Sequence, residues 1–224
     1  MTAPAIPQPG LGVAVFDLDG TITVHDTLVP YLWHVIRRYP ARALGLWRIP
    51  GALARFAWDR DRGPLKATLI RAVMGGLTRA DVQTLTRDFL DTQLARLCRR
   101  TALAAIEAHR AAGDHLVLLS ASTDFYVPEI GRRLGFDDTL CTAVRWDGDR
   151  LVGDLASANH RGAVKAGCIE ALRREHPGLQ LAAYGNSSSD FDHLRIVDAP
   201  LLVNGSSRTR RAASRLGIPV ADWV

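Results

Sequence analysis

Three apolar runs in this chain, Val13–Phe16, His115–Leu119 and Leu181–Tyr184, each stop at a polar cluster. The clusters are Asp17-Leu18-Asp19-Gly20-Thr21, Ser120-Ala121-Ser122 and Gly185-Asn186-Ser187-Ser188-Ser189-Asp190. Short continuous apolar runs bounded by turn residues read as strands covered on both faces. From His115 onward they alternate with helical patterns, expected over about Phe125–Leu134 and Ala163–Arg174. A last strand, Pro200–Val203, precedes a basic helix around Arg208–Arg215. Alternation of this kind predicts an α/β, doubly wound parallel sheet with helices on both faces. Ligands bind such sheets beyond the carboxyl ends of the strands. All three polar clusters fall at that end.

The first and second runs are separated by a long stretch, about Leu28 to Ala112, with helical spacing and almost no strand signal. Thr78-Arg79-Ala80-Asp81 has the form of a capping box opening a helix through Leu85, Phe89, Leu94 and Leu97. Pro30, Pro40, Pro50 and Pro64 mark early turns or breaks between shorter helices. Beyond the second run, Leu140–Val144 and Arg150–Val152 flank Asp147-Gly148, a hairpin signal. The expected organisation is therefore a catalytic core of residues 11–25 and 106–224 carrying an inserted all-helical cap, 26–105.

Charge is unevenly spread. The chain of 224 residues has a formal charge of +5. Between Tyr31 and Arg71 lie Arg37, Arg38, Arg42, Arg48, Arg55, Arg60, Arg62, Lys66 and Arg71 against only Asp59 and Asp61. Such a block suits an anionic partner or is a solvated helical face. No zinc-finger, basic-zipper or RNA-recognition pattern accompanies it, so nucleic acid is not expected. The scattered Cys98, Cys141 and Cys168 argue against a disulfide framework or a zinc site. The N-terminal segment lacks a secretory pattern, and no apolar run approaches the ~20 residues that span a bilayer. The expected location is cytoplasmic, with peripheral contact at the inner membrane face kept open by the cap's composition.

The chemistry concentrates at the strand ends. Asp17 and Asp19 alternate just past a strand, so both carboxylates can face one crevice while Leu18 packs elsewhere. Two carboxylates that close repel unless a cation or a shared proton lies between them. A hard cation such as Mg²⁺ takes oxygen ligands and keeps room for a substrate phosphate. One carboxylate can then attack while the other moves protons. Ser120 and the neighbouring backbone N–H of Ala121 offer donors to a phosphoryl oxygen, and Lys165 offers a neutralising ammonium. Asn186 and Asp190 add oxygens on a third strand end.

Taken in order, DxDGT, strand-end Ser, Lys and GNSSSD resemble the haloacid dehalogenase superfamily of phosphatases, over nearly the whole chain. The helical insert after the first motif is similar to the subclass that holds phosphoserine phosphatase and phosphatidylglycerophosphatase C. Asn159-His160-Arg161-Gly162 ahead of Lys165 fits that subclass too. The resemblance implies a Rossmann-like core and a Mg²⁺-dependent phosphomonoester hydrolase working through an aspartyl-phosphate on Asp17. It makes Asp19 the general acid and base, with its backbone carbonyl on the metal. Ser120, Ala121 and Lys165 become phosphate-binding, and Asp17, Asp19, Asn186 and Asp190 form the metal site, Asp190 bracing it from behind. Position 186 departs from the pattern, since the family usually has an aspartate there. A weaker metal site is expected, and a catalytically weakened protein that binds a phosphorylated ligand or partner is the alternative. Asp26, nine residues after Asp17, is either a substrate-reading acid or the N-cap of the helix starting near Leu28.

The cap interleaves Tyr31, Trp33, Trp47, Phe56 and Trp58 with arginines. That suits an interfacial surface, and equally a cap core. The expected substrate is a small phosphorylated molecule, with a phospholipid headgroup phosphate and phosphoserine both in view.

Overall fold

A computed structural model of the chain describes residues 9, 10, 12–59 and 62–224. The Pro-rich lead-in (1–8), the expected core start Leu11, and Arg60 and Asp61 of the basic stretch lie outside the described residues. The core is a six-stranded, wholly parallel sheet in the order β3-β2-β1-β6-β7-β8. Its strands are β1 (Gly12–Phe16), β2 (His115–Thr123), β3 (Asp138–Thr142), β6 (Gln180–Gly185), β7 (Ala199–Val203) and β8 (Val220–Ala221). A separate antiparallel hairpin joins β4 (Val144–Asp147) to β5 (Arg150–Leu155).

Side-chain alternation explains why the central strands are apolar throughout. Ala14, Phe16, Leu116, Leu118, Ala182 and Tyr184 pack on one face with Ala102, Ala105 and Ile106 of α5 (Arg100–Ala111) and with α6 (Val127–Leu134). Val13, Val15, Val117, Leu119, Leu181 and Ala183 pack on the other with α7 (Ala163–Glu175), α8 (Phe191–Leu194) and α9 (Ser207–Arg215). Both faces are thus covered, which a parallel sheet requires. Strand order reverses about β1, whose neighbours are β2 and β6. The ends of those three strands are therefore adjacent, and they carry the three polar clusters.

The helices α1 (Leu28–Arg38), α2 (Ile49–Asp59), α3 (Arg62–Met74) and α4 (Arg79–Leu97), with a 3₁₀ segment Pro40–Arg48, lie between β1 and α5. Pro30, Pro40, Pro50 and Pro64 each fall in the first turn of their helix, where the missing N–H costs no bond. Thr78 caps α4, accepting from the Asp81 N–H while Asp81 accepts from the Thr78 N–H. The chain enters and leaves this helical segment through a two-stranded neck. There Val24 N–H donates to Leu97 C=O at 2.8 Å and Arg99 N–H to Ile22 C=O at 2.8 Å. The expected cap boundary at residue 105 falls inside the continuous α5.

Two local expectations are refined. The run Leu140–Val144 is split between two sheets, because Val144 turns away to pair with Leu155 while its N–H donates to Asp124 Oδ1. The helix expected from Phe125 starts at Val127, with Pro128 in its first turn, and ends at Gly135, which takes φ 73. Tyr31, Leu32 and Val35 belong to the core, whereas Trp33, Leu44, Trp47, Leu53 and Trp58 are exposed, Trp58 by 92%.

Candidate active site

Asp17 leaves β1 still tied to the sheet, its N–H donating to Tyr184 C=O at 3.0 Å. Leu18–Ile22 then forms one wide turn in which Leu18 and Ile22 are buried and Gly20 takes φ 84, a left-handed conformation that glycine adopts without penalty. A side chain at position 20 would also overlap the Asn186 amide, which packs over this turn. Glycine here lets the first and third strand ends close on each other.

The Asp17 carboxylate is buried. Its Oδ1 accepts from Lys165 Nζ at 2.6 Å and its Oδ2 from Thr21 Oγ1 at 2.9 Å. Lys165 Nζ also donates to Asp190 Oδ1 at 2.9 Å. The other Asp190 oxygen is taken by the N–H and hydroxyl of Ser187, both at 2.9 Å, and by the Asn186 N–H. Asp190 is therefore saturated by protein donors, and it positions Lys165 and the 186–187 backbone. Burial favours the neutral acid at both carboxyls. At Asp190 the Lys165 charge overcomes this and holds the group down near 2. At Asp17 burial, together with the charges of Asp190 and Asp19, prevails over Lys165 and pushes the carboxyl up to about 7.

Asp19 is held by donors on both oxygens. Oδ1 accepts from the Thr27 N–H and the Thr27 hydroxyl, both at 2.7 Å, and Oδ2 from Ser122 Oγ at 2.6 Å. Because Thr27 Oγ1 gives its proton to Asp19, the buried Tyr126 hydroxyl 2.9 Å away must donate to Thr27. Burial first, and then Asp26, raise the Asp19 carboxyl above its ordinary range. A carboxyl so placed is suited to carrying a proton.

Ser120 is fully buried, and its hydroxyl accepts from the Ser122 N–H at 3.0 Å. It braces a bulge near the end of β2, while Ala121 and Ser122 line the cavity. Asp26 Oδ1 accepts from the N–H of Leu28, the first residue of α1, at 3.0 Å, and Asp26 also lines the cavity. The cavity, about 390 Å³, takes in Asp17, Asp19, Asn186, Ser187 and Lys165 at its base. Three cationic residues complete it: Arg62 and Lys66 from α3 and Arg161 from the loop before α7. In the sequence Arg62 and Lys66 stand in a diffuse basic block, and Ser122, Thr27 and Arg161 carry no signal of a role of their own. The docking of α3 over the strand ends brings Arg62 and Lys66 to the cavity.

The donors available to a metal are hard oxygens: the Asp17 carboxylate, the Asp19 carbonyl and the Asn186 amide oxygen. Among the described residues no group of three or more His, Cys, Asp or Glu side chains is arranged to hold a metal. Yet Asp17, Asp19 and Asp190 are three carboxyls at the base against the single ammonium of Lys165. An all-oxygen set with excess negative charge fits a hard divalent cation and no soft one.

The model of the haloacid dehalogenase-like hydrolases matches residues 14–195. The chain belongs to that family. The hydrolase is 35% identical over 189 residues to the protein CicA of Caulobacter vibrioides, covering 83% of each chain. It is 27% identical over 221 residues to a probable phosphatase of Mycobacterium tuberculosis, covering 94% of this chain and 75% of that one. Its fold matches a crystal structure of a Bordetella pertussis protein of unknown function with a TM-score of 0.77 at 22% identity, covering 94% of this chain and 97% of that one. No helix among the described residues is long and apolar enough to cross a membrane.

Proposed function

We propose that this hydrolase is a phosphomonoester phosphatase in which Asp17 attacks phosphorus and Asp19 protonates the departing oxygen. The observation that carries the reading is the division of labour between the two carboxylates. Asp17 is aimed by Lys165 and Thr21 at 2.6 and 2.9 Å, as a nucleophile must be. Asp19 is instead embedded in hydroxyl donors from Ser122 and Thr27, as a proton carrier must be. The relative from Mycobacterium tuberculosis, named a probable phosphatase, supports the same class.

Attack by Asp17 Oδ2 on phosphorus forms an aspartyl-phosphate and breaks the ester bond, and the alkoxide takes its proton from Asp19. Asp19, now ionised, then takes a proton from water as that water attacks the acyl-phosphate, and Asp17 and inorganic phosphate are released. Lys165 favours the ionised form of Asp17 against the effect of burial and offsets charge on the transferring group. A Mg²⁺ ion held by Asp17, Asn186 and the Asp19 carbonyl would supply further neutralisation of phosphate oxygens. Asn186 contributes no charge, so the requirement for Mg²⁺ is expected to be high rather than absent.

Phosphate release from p-nitrophenyl phosphate and a panel of alkyl phosphomonoesters, with and without Mg²⁺, tests this directly. Release lost in Asp17→Asn supports the reading. No release from any ester at high Mg²⁺ supports instead a protein that binds phosphorylated ligands without turnover.

The outer helices motivate a second, independent reading. Leu44, Trp47 and Trp58 are 78, 74 and 92% exposed in the basic Pro40–Asp59 stretch. Aromatic rings among arginines suit an acidic bilayer surface. Co-sedimentation with vesicles containing phosphatidylglycerol is expected, weakened in Trp58→Ala. Equal recovery with neutral vesicles would discard the reading.

A further inference from the structure

The cavity has two electrical poles. At its base Lys165 is ion-paired with both Asp17 and Asp190. On its wall Lys66, Arg62 and Arg161 form no ion pair among the described residues. Lys66 is half-buried, and its ammonium is held by two neutral acceptors, the Ala121 C=O and Asn159 Oδ1, the latter at 2.8 Å. An ammonium has three N–H donors, so one remains for a ligand. Burial first, and then Arg161 and Arg62, depress Lys66 to about 8 against the opposing pull of Asp19 and Asp26. The Arg161 guanidinium is lowered by burial and by Arg62, against the pull of Asp190 and Asp17. Lys66 and Arg161, half-buried, and the exposed Arg62 thus share one wall with no carboxylate among the described residues in direct contact, a place where an anion gains charge-assisted hydrogen bonds.

The side of the cavity matters. Lys66 bonds to the Ala121 C=O, and the next residue, Ser122, holds Asp19 at 2.6 Å. If Asp19 protonates the departing oxygen, Lys66 lies beside the leaving group and not behind the nucleophile. Arg62, one helical turn earlier on α3, lines the same wall.

We propose that Lys66, assisted by Arg62, binds an acidic group on the alcohol portion of the substrate. The preferred ester then carries a second negative charge, a carboxylate or another phosphate, besides the phosphoryl group transferred. This rests on the phosphatase reading above and adds the chemistry of the leaving group. It further implies that esters of amino alcohols, whose leaving group is cationic, are poor substrates.

The test uses three two-carbon esters that differ in leaving-group charge: phosphoglycolate (anionic), ethyl phosphate (neutral) and phosphoethanolamine (cationic). With the full chain and Mg²⁺, kcat/KM is expected to be about tenfold or more higher for phosphoglycolate than for ethyl phosphate, the scale of one charge-assisted hydrogen bond, and lowest for phosphoethanolamine. Lys66→Met should bring the first ratio close to one, and Lys66→Arg should restore it. Calorimetric binding of the same esters to Asp17→Asn should show the same order without turnover. Equal values for all three esters, or a Lys66→Met variant that loses the same factor on each, would overturn the proposal while leaving the phosphatase reading intact. The second outcome would assign Lys66 to the transferred phosphate. Failure of every ester to release phosphate in an Asp17-dependent way would remove both.

Discussion

Lys165 Nζ lies 2.6 Å from Asp17 Oδ1, with side-chain exposures of 3 and 9%. This buried pair is tight because Asp190 grips the same ammonium from the other side at 2.9 Å. Removing one member of such a group leaves an uncompensated charge, at a cost of about 3–5 kcal/mol. Lys165→Met is therefore expected both to abolish turnover and to lower the urea midpoint strongly. Asp17→Asn should abolish turnover yet leave the metal-free protein as stable or more so, since it relieves repulsion from Asp190 and Asp19. Equal stability losses in the two variants, measured with chelator present, would show that the site is not over-loaded with negative charge.

A second relationship gives Asp19 its role. Ser122 Oγ and both Thr27 donors converge on its carboxylate within 2.6–2.7 Å. A proton delivered to the leaving oxygen matters most when that oxygen is a poor leaving group. Asp19→Asn should reduce kcat on alkyl phosphates by about 10²–10⁴-fold, the usual worth of general acid catalysis. The loss on p-nitrophenyl phosphate should be much smaller. Ser122→Ala should follow the same pattern in weaker form. A uniform loss across leaving groups in Asp19→Asn would reassign the residue to binding.

What the sequence made legible, and what it did not, divides along a physical line. Asp17, Asp19, Asn186 and Asp190 were visible because they directly follow strands whose apolar runs announce themselves, and a parallel sheet brings neighbouring strand ends together. The Thr78–Asp81 cap and the Gly135 helix stop are likewise contacts between residues a few positions apart. Lys66 and Arg62 were only part of a basic stretch, since nothing local specifies how α3 docks over the sheet. Ser120 shows the limit in the other direction. The strand was expected to stop before it, but β2 runs on through a bulge to Thr123, and the Ser120 hydroxyl turns to the Ser122 N–H. The residues lining the cavity there are Ala121 and Ser122.

Asn186 carries a consequence for metal dependence. Its amide packs against the Gly20 turn beside Asp17, where an aspartate of nearly the same shape would add a full negative charge. A unit charge within ~4 Å of a divalent ion is worth more than 1 kcal/mol even at high effective dielectric. Asn186→Asp should lower the Mg²⁺ concentration for half-maximal activity by about tenfold or more. Gly20→Ala should remove activity through steric overlap at the same spot, and added Mg²⁺ should not rescue it. An unchanged Mg²⁺ requirement in Asn186→Asp would place the metal elsewhere.

Beneath the site, a buried chain of polar groups sets the acid limit of stability. Asp114, its side chain 2% exposed, accepts from the Gly10 N–H at 2.8 Å and the Gly12 N–H at 2.9 Å, and its Oδ2 meets His109 Nδ1 at 2.5 Å. His109 Nε2 in turn reaches the hydroxyl of Tyr184 at 2.6 Å, and Tyr184 is the residue whose C=O receives the Asp17 N–H. Burial alone would raise the Asp114 carboxyl, but the donors from Gly10, His109 and Gly12 outweigh it and hold the group below its ordinary value. A carboxyl whose folded pKa is depressed contributes stability above its unfolded value, near 4, and loses it as pH falls through the folded value. The chain should therefore lose stability progressively below about pH 4 through this group. Asp114→Asn should be less stable than the parent at pH 7, with the gap between them narrowing toward pH 3. Urea midpoints recorded from pH 7 to pH 3 measure that gap, and a gap that stays constant with pH would mean that Asp114 contributes shape and not charge.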